Sequence, residues 1–213
     1  MNYNEFFNFE TVRDSVFFRV VNYERNQEIL KGAPYLRLND LAITFRWLAA
    51  MDQERIASAL VQNEHLKRWN ISLETLVGYA NENTPVLFPA RLVPMNQMIE
   101  HCMELADEEE IGVLQETMDT SMMVLTNHMG MNGAGCMCYK GLLAQVADKI
   151  ENNFYILPSS VHEVIILPEA EELDADSLER MVCSVNEELV ADEEILSNHV
   201  YYYHKEKKSL TIA

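Results

Sequence analysis

The chain has 213 residues, 48% hydrophobic and 23% charged, the balance of a globular protein, and a chain this long buries roughly 70% of its unfolded surface without a disulfide or metal staple. Its formal net charge of −18 argues against nucleic acid, whose phosphates are held by clustered Lys and Arg, and against anionic membrane surfaces. The acid is concentrated: residues 169–194 hold eleven acidic side chains and one basic one, Arg180.

No apolar run approaches the roughly 20 residues that span a bilayer. Residues 1–10 lack the basic and apolar regions of a signal peptide, so a cytoplasmic protein is expected. The cysteines are Cys102, Cys136, Cys138 and Cys183. Cys136 and Cys138 form C-x-C with no second pair, which matches no zinc pattern. Four reduced thiols, no metal and no cofactor are expected.

In chain order, residues 10–31 read as a helix, with Val12, Val16, Val20 and Tyr23 spaced by four, four and three. Gly32 and Pro34 close it, giving an N-terminal helical segment over residues 1–34. Leu41, Ile43, Phe45 and Trp47 alternate with Ala42, Thr44 and Arg46 as in a strand. Ile56, Ser58 and Leu60 suggest its return, so residues 41–61 form a hairpin. Ser72 caps a helix whose apolar face is Leu73, Leu76, Val77 and Ala80. Pro85, Pro89 and Pro94 are expected to break regular structure, with Asn83 bonding backbone ahead of them. Met98, Ile99, Cys102 and Leu105 mark a short helix, and the acidic residues 106–120 read as a mobile connector.

A strand is predicted over residues 121–126. Asn132-Gly133 signals a hairpin turn, with a strand over residues 136–139 that places both thiols on one face. Leu142, Leu143, Val146, Ala147 and Ile150 define a helix over residues 141–151. Residues 154–157 and 162–167 read as two strands joined at Pro158-Ser159-Ser160. Asp176 and Glu179 have capping-box spacing before a helix carrying Leu178, Met181, Val182, Val185 and Leu189. Residues 200–203 and 209–212 form a last hairpin, in which Tyr201, Tyr202 and Tyr203 pack on both faces. The twelve methionines read as adaptable core filling. The whole is one α+β domain, residues 1–213, built from β-hairpins alternating with amphipathic helices around a mostly antiparallel sheet.

Candidate chemistry gathers at two turns. Leu157-Pro-Ser-Ser-Val-His-Glu163 interrupts two apolar strands with Ser159, Ser160, His162 and Glu163, which include the parts of a nucleophile, a base and an orienting carboxylate. Adjacent residues on a strand point to opposite faces, so His162 and Glu163 are not expected to touch. Neither a G-x-S-x-G elbow nor H-E-x-x-H is present. The glycine-rich turn after Asn127, at Asn132-Gly133-Ala134-Gly135, either cradles an anion with its amides or serves a hairpin. Two functions stay open. One is a non-enzymatic binding or regulatory protein with a polar site at the 127–135 and 158–163 turns, its partner a protein or small molecule. The other is a hydrolase using Ser160 or Cys136 with His162. If His162 lies at the core boundary, both ring nitrogens need partners and its removal destabilises the fold.

Six segments together, Asn22-Tyr-Glu-Arg-Asn26, Asn83-Thr-Pro85, Val124-Leu-Thr-Asn127, Asn132-Gly-Ala134, the 157–163 segment and Leu196-Ser197, resemble the bacterial family of unknown function 5688. A more distant likeness is to family 1444 of bacilli. The resemblance covers nearly the whole chain and implies a bacterial intracellular protein, with no activity, cofactor or catalytic residue attached. It also implies further sequence before Phe6 in most members, and hence a short or truncated one here.

Overall fold

The computed structural model describes residues 8–52, 55–97 and 122–213. The predicted helix at Met98–Leu105 and the acidic 106–120 stretch lie outside them. The fold is α+β, with two antiparallel sheets. In the first, β3 (Leu41–Met51) is the spine. Along one edge lies β1 (Val16–Asn22), and the other is shared by β2 (Tyr35–Leu38) and β4 (Ile56–Leu60). Thr44 therefore faces Arg19 on one side and Tyr35 on the other. The second sheet holds β5 (Ala90–Pro94), β6 (Met123–Asn127), β7 (Phe154–Pro158), β8 (Val164–Pro168), β9 (Tyr201–His204) and β10 (Ser209–Ile212). Its order is β10-β9-β7-β8-β6-β5. The β3–β4, β7–β8 and β9–β10 hairpins lie where they are expected, except that β8 begins at Val164 and leaves His162 and Glu163 in the turn.

Residues 10–31 are not one helix. Short turns, α1 (Phe9–Val12) and a 3-10 segment Arg13–Ser15, lead into β1, and Glu24–Asn26 with α2 (Gln27–Leu30) follows it. Positions four apart share a face on a strand as well as on a helix, so the valine spacing did not discriminate. The run Val16-Phe17-Phe18-Arg19-Val20-Val21 did: it is β-branched and aromatic, and every member except Arg19 is buried.

After α3 (Asn63–Trp69), helix α4 (Leu73–Leu87) starts where predicted. The Ser72 hydroxyl accepts from the Thr75 amide at 3.1 Å. Pro85 does not end it; the proline stands in the last turn, and Pro94 closes β5. Among the described residues β5 pairs with β6 alone, and an edge strand tolerates the missing donor.

Among the described residues strand β1 has β3 on one side only, so a row of its backbone groups would be left open. Helix α4 lies beside it and supplies the partners. Thr84 Oγ1 accepts from the Phe18 amide at 3.0 Å, and its own hydroxyl donates to the Ala80 carbonyl. Asn83 Nδ2 donates to the carbonyls of Val16 at 2.9 Å and Arg13 at 2.7 Å. The bond expected from Asn83 is real, but it reaches back some 70 residues rather than to its neighbours.

One hydrophobic cluster draws on both sheets: Val16, Phe18, Leu41 and Phe45 from the first, and Leu125, Phe154, Ile156, Ile166 and Tyr201 from the second. Tyr201 and Tyr203 are buried and Tyr202 half-buried. Helix α5 (Leu142–Ile150) adds Leu143, Val146 and Ala147 to this cluster. On the opposite face of the second sheet, α6 (Ala175–Leu189) packs Leu178 and Val182 against Leu157, Leu167 and Val200. Asp174, not Asp176, caps α6, its carboxylate accepting from the Ser177 amide at 3.1 Å. Met181, Val185 and Leu189, expected on the apolar face of α6, are exposed, and buried Asn186 continues the inner row.

Thr84→Val keeps the shape of the side chain but strands the buried Phe18 amide. A loss of about 1–3 kcal/mol is expected in urea unfolding, with Thr84→Ser close to the parent.

Candidate functional site

Strand β6 ends at Asn127, whose buried side chain braces the following turn. Its Nδ2 donates to the Met131 carbonyl at 2.8 Å, and its Oδ1 accepts from the Met129 amide at 2.9 Å. Asn132 then takes a left-handed conformation (φ 53°). The hairpin and the strand at 136–139 do not follow. Gly133–Cys138 is instead a 3-10 helix, buried from Gly133 to Met137 between β1 and the β6–β8 pair. The two thiols therefore do not share a strand face. A Cβ on Gly133 would lie 2.2 Å from Thr126 Oγ1, 2.4 Å from the His162 carbonyl oxygen and 2.8 Å from the Asn127 amide nitrogen. Glycine is required there for space, because any side chain would drive the helix away from β6 and the 158–163 turn.

The second turn is tied to the first at the same point. Thr126 Oγ1 donates to the His162 carbonyl at 2.8 Å, and the Ala134 amide donates to the Val161 carbonyl at 3.3 Å. Within the turn, the His162 amide donates to Ser160 Oγ at 3.0 Å and the Ser160 amide to the Glu163 carbonyl at 3.3 Å. Glu163 turns its carboxylate to Ser159, whose hydroxyl donates at 3.5 Å. The His162 ring accepts at Nδ1 from the Asn132 amide at 3.2 Å. A neutral ring in that position carries its proton on Nε2, which faces Glu194 Oε1 at 3.3 Å. Glu194 is itself fixed, its carbonyl accepting from the Val161 amide at 2.8 Å. The His162 side chain is 32% exposed, at the boundary of core and surface.

Both ring nitrogens of His162 are thus engaged, one by a backbone amide and the other by a carboxylate. Cys136 is fully buried and its thiol donates to the Thr126 carbonyl at 3.2 Å. Burial pushes that thiol up to about 11 and the Cys138 thiol up to about 12. Cys136, Cys138 and Cys183 are free, and Cys102 lies outside the described residues. The amides of Asn132, Ala134 and Gly135 donate to His162 Nδ1, the Val161 carbonyl and the Asn132 carbonyl respectively. Sequence reasoning missed Thr126 and Glu194. Thr126 reads as one more strand residue, and Glu194 is the last of several acids after α6, with nothing local to tie it to a histidine 32 positions earlier.

A second polar cluster joins the sheets. Buried Ser197 donates to Asp40 Oδ2 at 2.7 Å, and the Tyr201 hydroxyl donates to Asp40 Oδ1 at 2.6 Å. Burial, then the bond to Asp40, pushes the Tyr201 phenol upward. Asn22 Nδ2 donates to the Leu196 carbonyl at 3.1 Å, and Arg25 pairs with Asp192 at 3.2 Å. The Asn22–Asn26 and Leu196-Ser197 segments, far apart in sequence, therefore meet. Among the described residues no group of three or more His, Cys, Asp or Glu side chains is placed to hold a metal, and no helix is long and apolar enough to cross a membrane.

The model of a family of unknown function, DUF5688, matches residues 1–205. The chain belongs to this family. No curated protein and no solved structure matches it at the significance required. The segments that carried the resemblance in this family member are those that fasten the fold: Asn83-Thr84 on β1, Asn127 and Asn132-Gly133 on the 158–163 turn, and Asn22 on Leu196.

Gly133→Ala is expected to lower stability by at least about 1–3 kcal/mol, the scale of core overpacking, read as a fall in the thermal midpoint. At pH 8 iodoacetamide should leave Cys136 and Cys138 unmodified in the folded protein and label both in denaturant, because the thiolate is the reactive form. Mass spectrometry of the digested protein distinguishes the sites.

Proposed function

We propose that this family member is a non-enzymatic binding or regulatory protein whose polar surface is formed by the 127–135 and 158–163 turns. The observation that supports the reading is the engagement of His162 on both ring nitrogens. A general base must accept a proton from its nucleophile. Here Nδ1 already accepts from an amide and Nε2 donates to Glu194, so neither is open to Ser160 or Cys136. Ser160 Oγ is occupied by the His162 backbone amide, and Cys136 lies buried as a protonated thiol. The hydrolase alternative, Ser160 or Cys136 with His162, is the less supported reading on the same geometry.

What the joined turns offer a partner is negative charge on a braced frame. Glu163 and Glu194 are partly exposed, Glu194 by 45% of its side chain, and among the described residues their side chains meet Ser159 and His162 rather than Lys or Arg. Such a surface suits a cationic or hydrogen-bond-donating group, on a protein or a small molecule. A single bacterial cytoplasmic domain of this acidity would avoid nucleic acid and anionic membranes.

The test pairs binding with turnover. Titration with guanidinium- and ammonium-bearing compounds should shift the backbone resonances of Val161, His162 and Glu194 saturably. A panel of activated esters and amides should show no turnover that depends on His162. Hydrolysis abolished by both His162→Ala and Ser160→Ala, in variants that keep the parent's thermal midpoint, would establish the hydrolase instead. His162→Ala is expected to be destabilising, by about 1–3 kcal/mol, because the Asn132 amide loses its acceptor.

A further inference from the structure

The face of the first sheet opposite Val16, Phe18, Val20 and Phe45 carries a feature the turns do not use. The register places Phe17, Arg19 and Val21 of β1, Ala42, Thr44 and Arg46 of β3, Tyr35 of β2 and Leu60 of β4 on one face. Arg19 and Arg46 are diagonal neighbours there, since Arg19 pairs with Thr44, two residues from Arg46. Thr44 beneath them is 2% exposed, as expected where long side-chain stems lie over a small residue.

The two guanidinium groups differ in what holds them. Arg46 is fixed: Nε donates to Ser58 Oγ at 2.8 Å and Nη2 to the Ser58 carbonyl at 2.9 Å. Arg19 has no partner among the described residues, and its Nε is buried without a hydrogen bond. Burial lowers the affinity of both for their protons, and the charge of Arg19 adds to the effect on Arg46. Two half-buried cations side by side, with no carboxylate paired to them among the described residues, stand out in a chain of net charge −18. A buried charge is ordinarily paired, and its unpaired donors are costly. Neither Ser58 contact supplies a negative charge.

We propose that Arg19 and Arg46 form an anion-binding clamp on this face, taking the oxyanion of a small ligand, a carboxylate or a phosphate group. Arg46, held by Ser58, is the preorganised half, and Arg19 supplies the open donors. Guanidinium forks match the spacing of oxygens in either group.

The experiment uses the full chain at constant ionic strength, with inorganic phosphate and succinate as separate probes. Arginine Nε–Hε resonances and the thermal midpoint are followed in the parent and in Arg19→Gln. The expected result is a saturable shift of the Arg19 and Arg46 signals with at least one probe, a raised midpoint, and a tenfold or greater weakening in Arg19→Gln. Arg19→Gln removes a guanidinium group with no partner among the described residues, so it should fold with an unchanged or raised midpoint. A response to phosphate alone assigns a phosphate site, and one to succinate alone a carboxylate site. No saturable shift with either probe, or the same midpoint rise in Arg19→Gln as in the parent, overturns the proposal.

Discussion

At Gly133 a missing side chain lets a backbone segment lie against the end of β6 and the carbonyl of His162. Everything around the candidate site depends on it. Because Gly133 is bare, the 3-10 helix can run between the two sheets, buried, with Ala134 and Gly135 as its next members. Because that helix is there, the Asn132 amide arrives at His162 Nδ1 and the Ala134 amide at the Val161 carbonyl. The His162 ring is then oriented from the backbone side, and Glu194 meets its outer nitrogen. Steric room at one position thus sets the tautomer of a histidine 29 residues away in sequence.

The same economy recurs at the free edge of β1 and between the sheets. An edge strand invites pairing with another chain unless its open groups are covered. Thr84 and Asn83 cover them from a helix whose first cap, Ser72, lies a dozen residues earlier. Asp40, Ser197 and Tyr201 perform the corresponding service between a hairpin of the first sheet and β9 of the second. In each place polar side chains at the boundary of the core meet backbone or carboxylate partners far off in sequence, which is where a buried polar group contributes most to selecting one arrangement.

These long-range partners also explain what could and could not be read from the residues alone. The first hairpin was legible because alternation is a local property of a strand, the other two because turn residues separate short apolar runs, and α5 because its apolar row repeats at 3.6. β1 was misread because valines at spacing four satisfy both periods. The 136–139 segment was misread because its 3-10 form is imposed by the walls on either side of it, which no local pattern encodes. For the site, His162, Ser160, Asn127, Asn132 and Gly133 were all identified as neighbours in one polar region, and the structure brings the two turns together. Thr126 and Glu194 were not, since a hydroxyl in a strand and an acid in an acidic run carry no mark of their role.

The central claim is that His162 is a structural and recognition residue, its ring held by Asn132 and Glu194 rather than free to take a proton from a nucleophile. Long-range proton–nitrogen correlation of the imidazole reads this directly. The account predicts the Nε2–H tautomer, with Nδ1 as a pure acceptor and the Asn132 amide proton slow to exchange. An Nδ1–H tautomer with an unprotonated, solvent-facing Nε2 would contradict it and restore His162 as a candidate general base.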